Sequence, residues 1–484
     1  MRPAVAASTP APSASADALA ALLAKQREAF ANDPYPSARV RKDRLKRAID
    51  ALVKLEPKIV QALDADFGGR HEALSLLTEV MAPVRSLKHA LANVERWMKP
   101  EKRKPEFPMG LLGARAYIFR QPLGVIGVVA PWNAPVALAY TPLAGILAAG
   151  NRAMIKPSEL APQASAVIAE AARKAFDESE VAVVEGEADV AVAFTRLPFD
   201  HLLYTGSAGI ARHVMRAAAD HLVPVTLELG GKSPAILARG ADLEKAAAQI
   251  AFGKLANAGQ VCMCPDFALV HRDDQAAFAD AVRAAMLKMF PDIERNRDYT
   301  RVHLPRQRQR LAALCLEAAR GGARVEALNG LPVEALAEAD RFPPVIVQNA
   351  SPDSRLMREE VFGPVLPIAA YDRLEDVPAF LGRLSRPLAL YFIGGTSAQK
   401  EWMLRQTWAG GVTFDGIMVH PFLQDLPFGG VGESGMGRYV GHDGFKTFSN
   451  AKSVAHPPIV DVTRFLAPPY GPRVAGLMRK ALKL

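Results

Sequence analysis

Two of the chain's three cysteines, Cys262 and Cys264, stand one residue apart in "NAGQVCMCPD" (257–266). A Cys-x-Cys pair is compatible with four chemistries: metal ligation, a disulfide, a redox couple, or one nucleophilic thiol beside a bystander. Zinc is poorly served, because His271 is the nearest further ligand and no second Cys/His pair follows at metal spacing. Alternating positions also seldom meet disulfide geometry. Cys315, inside "LAALCLEAA", reads as a helix core residue. No metal site is expected, and the pair by itself does not choose among the remaining readings.

Other groups able to do chemistry cluster in four short turns: "PWNAP" (131–135), "KPSE" (156–159), "TGSAG" (205–209) and "ELGGK" (228–232). Each follows a short apolar run. Two attractive motifs fail on inspection. "GGKS" (230–233) would need Gly at 226 to be a P-loop, and Thr226 is there. "GESGM" (432–436) would need Gly where Met436 stands to be a nucleophile elbow. No G-x-G-x-x-G opens a helix after a strand; Gly206-Ser207-Ala208-Gly209 before a helical pattern is the nearest phosphate-binding candidate.

The elements that must hold these turns follow an α/β rhythm. Residues 40–64 and 71–98 are amphipathic at helical spacing, with Leu45, Ile49, Leu52 and Val53 on one side of the first. Strands are then expected at "VIGVVAP" (125–131), "RAMIKP" (152–157), "VAVVEG" (181–186), "DHLLYTGS" (200–207) and "PVTLELGG" (224–231), with helical patterns between most of them. Strands alternating with helices make a parallel sheet, and such sheets bind ligands beyond their carboxyl ends. The four polar turns would then line one sheet edge.

Composition excludes several classes. A chain of 484 residues exceeds what one core usually serves. Its 50% hydrophobic and 23% charged residues are ordinary for a globular protein. No apolar run reaches the roughly 18 residues of a membrane span. Three cysteines fit a reducing compartment, and a cytoplasmic enzyme is expected. The Ala/Ser/Pro-rich start, "MRPAVAASTPAPSASADALA", reads as a disordered tail, not an export signal. The net charge of +9 is spread over local clusters at 99–104, 301–310 and the last dozen residues, with no nucleic-acid-binding motif beside them.

Read together, "PWNAP", "KPSE", "YTGSAG", "VTLELGGKSP", "NAGQVCMCPD", "EEVFGPV" (359–365) and "LPFGGVGESGMG" (426–437) resemble, in order and spacing, the signatures of the aldehyde dehydrogenase superfamily. The 34 positions from Glu228 to Cys262 match, and the resemblance runs from about residue 36 to the C-terminus. "LPFDHLLYTGS" and "PPYG" (468–471) are similar to the class 3-type branch. The resemblance implies a Rossmann-like parallel-sheet cofactor domain (36–98 and 121–230), an α/β catalytic domain (231–445) and a small β oligomerisation arm (99–120 and 446–460). A loosely held or disordered tail (1–35) and a C-terminal tail helix (461–484) complete the expected division.

It also implies roles, which the chemistry suits. An aldehyde carbon gives up hydride only once it is tetrahedral, and a thiolate makes that adduct; Cys262 holds the family's nucleophile position. Asn133 and the Cys262 backbone N–H would hold the oxyanion. Glu228 would be the general base for thioester hydrolysis, so the order is attack, hydride transfer, deacylation. NAD is the implied cofactor. Lys156 and Glu159 match the adenosine-ribose contacts, and a carboxylate beside a 2′-phosphate disfavours NADP. Gly206 and Ser207 match the pyrophosphate turn, Glu360 and Phe362 the nicotinamide-ribose contacts, and Trp132 and Leu229 further cofactor contacts. Cys264 stands where a small residue is common, which a buried thiol mimics.

The chain departs from the family pattern at Ala211, where a Gly often ends the pyrophosphate turn, so crowding of that turn is expected. It departs also at Ala134, where many relatives carry an aromatic residue, and at Phe414, where an Asn is expected. A wider pocket favouring a bulky or aromatic aldehyde such as coniferaldehyde over acetaldehyde follows. A homodimer is expected. Val474, Leu477, Met478 and Ala481 make one apolar face of a basic helix, with Arg473, Arg479, Lys480 and Lys483 elsewhere; it suits a dimer contact better than an anionic membrane surface. Two rivals remain: a relative that passes the acyl group to coenzyme A, disfavoured by Glu228, and a non-catalytic protein that kept the fold.

Overall fold

A computed structural model describes residues 15–461 and 467–482. The expectations for the first 14 residues, for 462–466 and for Lys483 lie outside these. The remainder of the expected N-terminal tail is corrected: Ala16–Asn32 is a helix, capped by Ser15, whose hydroxyl accepts from the Ala18 N–H. Leu19 and Leu23, one helical turn apart, are buried in the core, and the Gln26 amide reaches the Ala153 carbonyl at 2.9 Å. An i, i+4 leucine pair pins the segment despite the Pro- and Ser-rich run before it.

The strands among the described residues, numbered in chain order, form three sheets. β1 (Glu101–Arg103) and β2 (Arg115–Pro122) begin a small antiparallel sheet. β3 (Val125–Val129), β4 (Arg152–Lys156), β5 (Val181–Val183), β6 (His201–Thr205) and β7 (Val225–Glu228) are parallel. β8 (Pro234–Leu237), β9 (Phe267–His271), β10 (Arg324–Ala327), β11 (Val345–Gln348), β12 (Val365–Tyr371), β13 (Ala389–Ile393) and β14 (Gly411–Phe414) form the second large sheet. β15 (Gly435–Met436) returns antiparallel to β7, and β16 (Ser449–His456) closes the small sheet against β2. The sheet orders are β15-β7-β6-β3-β4-β5, β10-β11-β12-β9-β8-β13-β14 and β1-β2-β16.

Both large sheets are parallel in their centres because helices cover their faces, so their strands are apolar throughout. The helix Pro135–Ala149 shows the same logic: it is buried nearly all round, starts on Pro135 and stops at Gly150, whose φ of 95° suits a left-handed C-terminal cap. Leu143 on this helix is fully buried, and truncating it to Ala would cost about 2–5 kcal/mol.

The long amphipathic stretches expected at 40–64 and 71–98 are present but broken. The first splits at Leu55 into Ala38–Lys54 and Glu56–Phe67. The second contains a π-helical turn, Leu76–Met81, ahead of Ala82–Trp97. No described helix is long and apolar enough to cross a membrane. The helix Pro472–Ala481 forms as expected, with Leu477 and Met478 exposed rather than packed on their own chain.

Candidate active site

The carboxyl ends of four strands fall in register. Val129 lies opposite Lys156 on one side and Tyr204 on the other, and Thr205 lies opposite Glu228. The turns leaving β3, β4, β6 and β7 therefore meet on one edge, and the strand order reverses between β3 and β6, which opens a crevice there. A cleft of about 870 Å³ lined by Lys156, Glu159, Ser207 and Arg216 runs along this edge. It continues into one of about 600 Å³ lined by Asn133, Glu228, Leu229, Cys262, Glu360 and Phe362. Trp132, Gly206 and Ser207 border both, so the two are one groove, and every residue expected at the site touches it.

At the wide end, Ser207 caps the helix Ala208–Ala219, whose first turn borders the groove at Ser207, Gly209 and Ile210, a place suited to phosphate. The Lys156 ammonium is buried; it donates to the Pro157 carbonyl at 2.7 Å and to Glu159 Oε2 at 3.3 Å. Burial pushes the lysine's pKa down, and Glu159 pulls it partly back. Ala211 does not crowd this turn as expected. It lies within the helix, buried in the same core cluster as Val214 and Leu227, and lines neither part of the groove.

At the narrow end the chain is held in strained conformations. Asn257, Ala258 and Gly259 are successive left-handed residues (φ 50°, 53° and 72°) just ahead of Cys262. Cys262 is half-buried, and its thiol is pushed well up, first by burial and then by the charges of Glu360 and Glu228. Glu228 ends β7 with both carboxylate oxygens buried and without a hydrogen-bond partner. Burial holds it well above the usual carboxylate range, offset in part by Arg438. Glu360 is pushed up to about 7 by burial and the neighbouring Asp266 charge. Its carboxylate lies against Gly230, where a Cβ would come within 2.0 Å of Oε1, so a side chain at 230 would displace the Glu360 carboxylate.

Asn133 is buried. Its Nδ2 donates to the Gln260 carbonyl at 3.0 Å, which leaves the second amide N–H free to point elsewhere. The Trp132 and Phe362 rings meet edge to face at 5.8 Å. All three cysteines are free; Cys264 is buried, and its thiol donates to the Gly259 carbonyl at 3.4 Å. Neither Ala134 nor Phe414 borders the groove. Leu138 lines the wall beyond Ala134, and Phe414 packs on Phe392 with centroids 6.4 Å apart. The left-handed position that welcomes Asn is the next residue, Asp415, with φ 56°.

Sequence reasoning missed Asn257, Gln260, Arg306 and Arg438. The first two stand inside "NAGQ" (257–260), where single amide side chains carry no spacing signal of their own. The donor set fits a dinucleotide: a helix N-terminus for phosphates, a carboxylate for vicinal hydroxyls, and aromatic walls toward the thiol.

Comparison with known proteins agrees with this arrangement. Residues 5–454 match the family model described as "Aldehyde dehydrogenase family". A "Probable coniferyl aldehyde dehydrogenase" of Caulobacter vibrioides is 45% identical over 455 residues, covering 93% of this chain and 94% of that one. The "Coniferyl aldehyde dehydrogenase" of a Pseudomonas species (strain HR199) is 41% identical, with 96% of each chain covered. Among solved structures, the substrate-bound Staphylococcus aureus AldH superposes with a TM-score of 0.88 at 31% identity, covering 96% of this chain and 99% of that one. An NAD⁺ complex of a Mycobacterium tuberculosis aldehyde dehydrogenase gives 0.82 at 28% identity, covering 93% and 92%.

Proposed function

The chain belongs to the aldehyde dehydrogenase family, and from that premise we propose that it oxidises a bulky aromatic aldehyde of the coniferaldehyde kind to the carboxylic acid, with NAD⁺ as cofactor. The observation that carries this reading is the single groove that joins a phosphate-suited helix N-terminus to a cysteine, a buried carboxyl group and an amide donor. The names of the relatives from Caulobacter and Pseudomonas support the substrate class.

The Cys262 thiol first loses its proton to water in the groove; its Sγ then bonds to the aldehyde carbon, and the carbonyl electron pair moves onto oxygen. The Asn133 amide donates a hydrogen bond to that oxyanion, a role whose loss typically costs about 10²–10³ in rate. A bound dinucleotide would supply the hydride acceptor; as the C–H pair leaves, the oxyanion pair re-forms the C=O bond and an acyl group remains on Cys262 Sγ. Glu228 then takes a proton from water, the water oxygen bonds to the acyl carbon, and the C–S bond breaks to return the thiolate. A buried, unpaired carboxyl group suits this step, because burial makes it a stronger proton acceptor than a solvated carboxylate. Lys156, Glu159, Ser207, Glu360 and Phe362 hold the dinucleotide, with Trp132, Gly206 and Leu229 completing its walls.

The division into cofactor domain, catalytic domain and arm belongs to the same proposal, as do a cytoplasmic location and a homodimer joined through the β1–β2–β16 arm. Among the described residues β16 has no strand on its outer side, which supports that interface. Size measurement by light scattering tests it: a mass near 104 kDa, twice the 52.1 kDa chain, is expected, and a monomer would overturn it.

NADH formation at 340 nm with coniferaldehyde tests the function. Turnover that requires Cys262 but not coenzyme A is expected. Turnover only with coenzyme A would establish an acyl-transferring enzyme, and no turnover by folded protein would favour a non-catalytic role.

A further inference from the structure

Behind Asn133 lies a buried ion pair that the steps above do not use. Arg70 and Glu79 are 1% and 0% exposed at their side chains and meet at 2.9 Å. Arg70 Nη2 also donates to Thr78 Oγ1 at 2.7 Å, and its guanidinium lies 4.9 Å from the Phe67 ring centroid. Taking two charges out of water costs several kcal/mol each, and apolar residues would pack such a space at least as stably. What the pair touches explains its presence.

Glu79 Oε2 accepts from the Val136 N–H at 3.1 Å and the Ala137 N–H at 3.0 Å. These are the first free N–H groups of the helix Pro135–Ala149, whose own N-cap, Ala134, offers no side-chain bond. Glu79 is thus a capping carboxylate delivered from a different element. Arg70 Nη1 reaches the Asn133 carbonyl at 3.4 Å, and Asn257 Nδ2 donates to the same oxygen at 3.0 Å. One side of Asn133 is fixed by the clamp on residues 136 and 137, the other by two donors on its carbonyl. The Gln260 carbonyl then sets which way its amide faces. Glu79 occupies the π-helical turn Leu76–Met81, a local widening frequent at functional sites.

We propose that the Arg70–Glu79 pair is a positioning device that aims the Asn133 amide at the oxyanion. This rests on the role given to Asn133 above. Removing Glu79's charge should loosen the start of the helix and let the amide drift. The drift would weaken a bond made mainly in the transition state and leave dinucleotide binding alone.

A double-mutant cycle over Glu79→Gln and Asn133→Ala tests the proposal, with kcat, the dinucleotide Kd by fluorescence and the iodoacetamide alkylation rate of Cys262 read for each variant. Glu79→Gln is expected to lower kcat about tenfold or more in the wild-type background and less than twofold in the Asn133→Ala background. The dinucleotide Kd should stay within about threefold, which reports a folded site. An equal loss in both backgrounds would overturn the positioning role while leaving Asn133's own role intact. An Asn133→Ala variant with wild-type kcat would overturn the Asn133 assignment and this proposal with it. Should Glu79→Gln fail to fold, Arg70→Lys, which keeps the charge but not the reach to Asn133, replaces it in the same cycle with the same two outcomes.

Discussion

Glu159 and Glu228 are both glutamates at the carboxyl edge of the same sheet, yet the protein treats them oppositely. Glu159 sits at the wide end of the groove, its side chain a quarter exposed and paired with Lys156 at 3.3 Å. Glu228 sits at the narrow end, buried, with neither oxygen partnered and only Arg438 to favour its charge. A partly solvated, paired carboxylate can recognise hydroxyl groups. A buried, unpaired one holds a proton more tightly and so can take one from water. The wide end is built for binding and the narrow end for chemistry.

The contrast can be broken hardest at the thiol. Cys262→Ala should lower turnover at least about 10³-fold, since the covalent route is lost, while dinucleotide affinity measured by fluorescence stays within about threefold. Parallel loss of both would erase the division between the two ends.

Glu228→Gln should lower steady-state turnover by about 10²–10³-fold, within the usual range for a general base. It should also stabilise the protein in a pH-dependent way. The folded carboxyl's pKa is raised, so above its unfolded value, about 4.3, the unfolded chain ionises first and the wild type loses stability. The variant escapes that loss. Its Tm advantage should be near zero around pH 4 and grow as pH rises until the folded carboxyl ionises. A Tm difference that shrinks with rising pH would contradict the raised value.

At the wide end smaller effects are expected. Glu159→Gln should raise the KM for NAD⁺ about tenfold or less, leave kcat within about twofold, and improve the relative use of NADP⁺ by removing a charge beside the 2′ position. A fall in kcat without a change in KM would move Glu159 to the chemical end. Ser207→Ala should do least: loss of a helix cap costs about 1 kcal/mol, read as a Tm drop of about one degree in a chain of this size.

The order of strands and turns could be read from residue types because each strand of the first sheet is a short apolar run ending in polar residues. Cys262, Glu228 and Asn133 stand out through the family resemblance of the motifs that carry them, and the fold brings them to one groove although more than a hundred positions separate Asn133 from Cys262. What escaped has physical reasons. The helix Ala16–Asn32 carries its own signals in Ser15, Leu19 and Leu23, but the preceding Pro/Ser-rich composition outweighed them. Arg70 and Glu79 bear no motif, and their burial depends on a π-helical turn that no periodicity announces. The concern over Ala211 failed because distance along the chain from the phosphate turn says nothing of which way a helical Cβ faces; this one enters the core.

Rapid-mixing measurement of NADH release by Glu228→Gln with coniferaldehyde tests the division most directly. If the buried carboxyl serves deacylation alone, the variant should release about one NADH per active site in a fast burst and then stall with the acyl group on Cys262. A burst-free trace whose first turnover is as slow as the steady state would place Glu228 in the earlier chemistry and contradict that division.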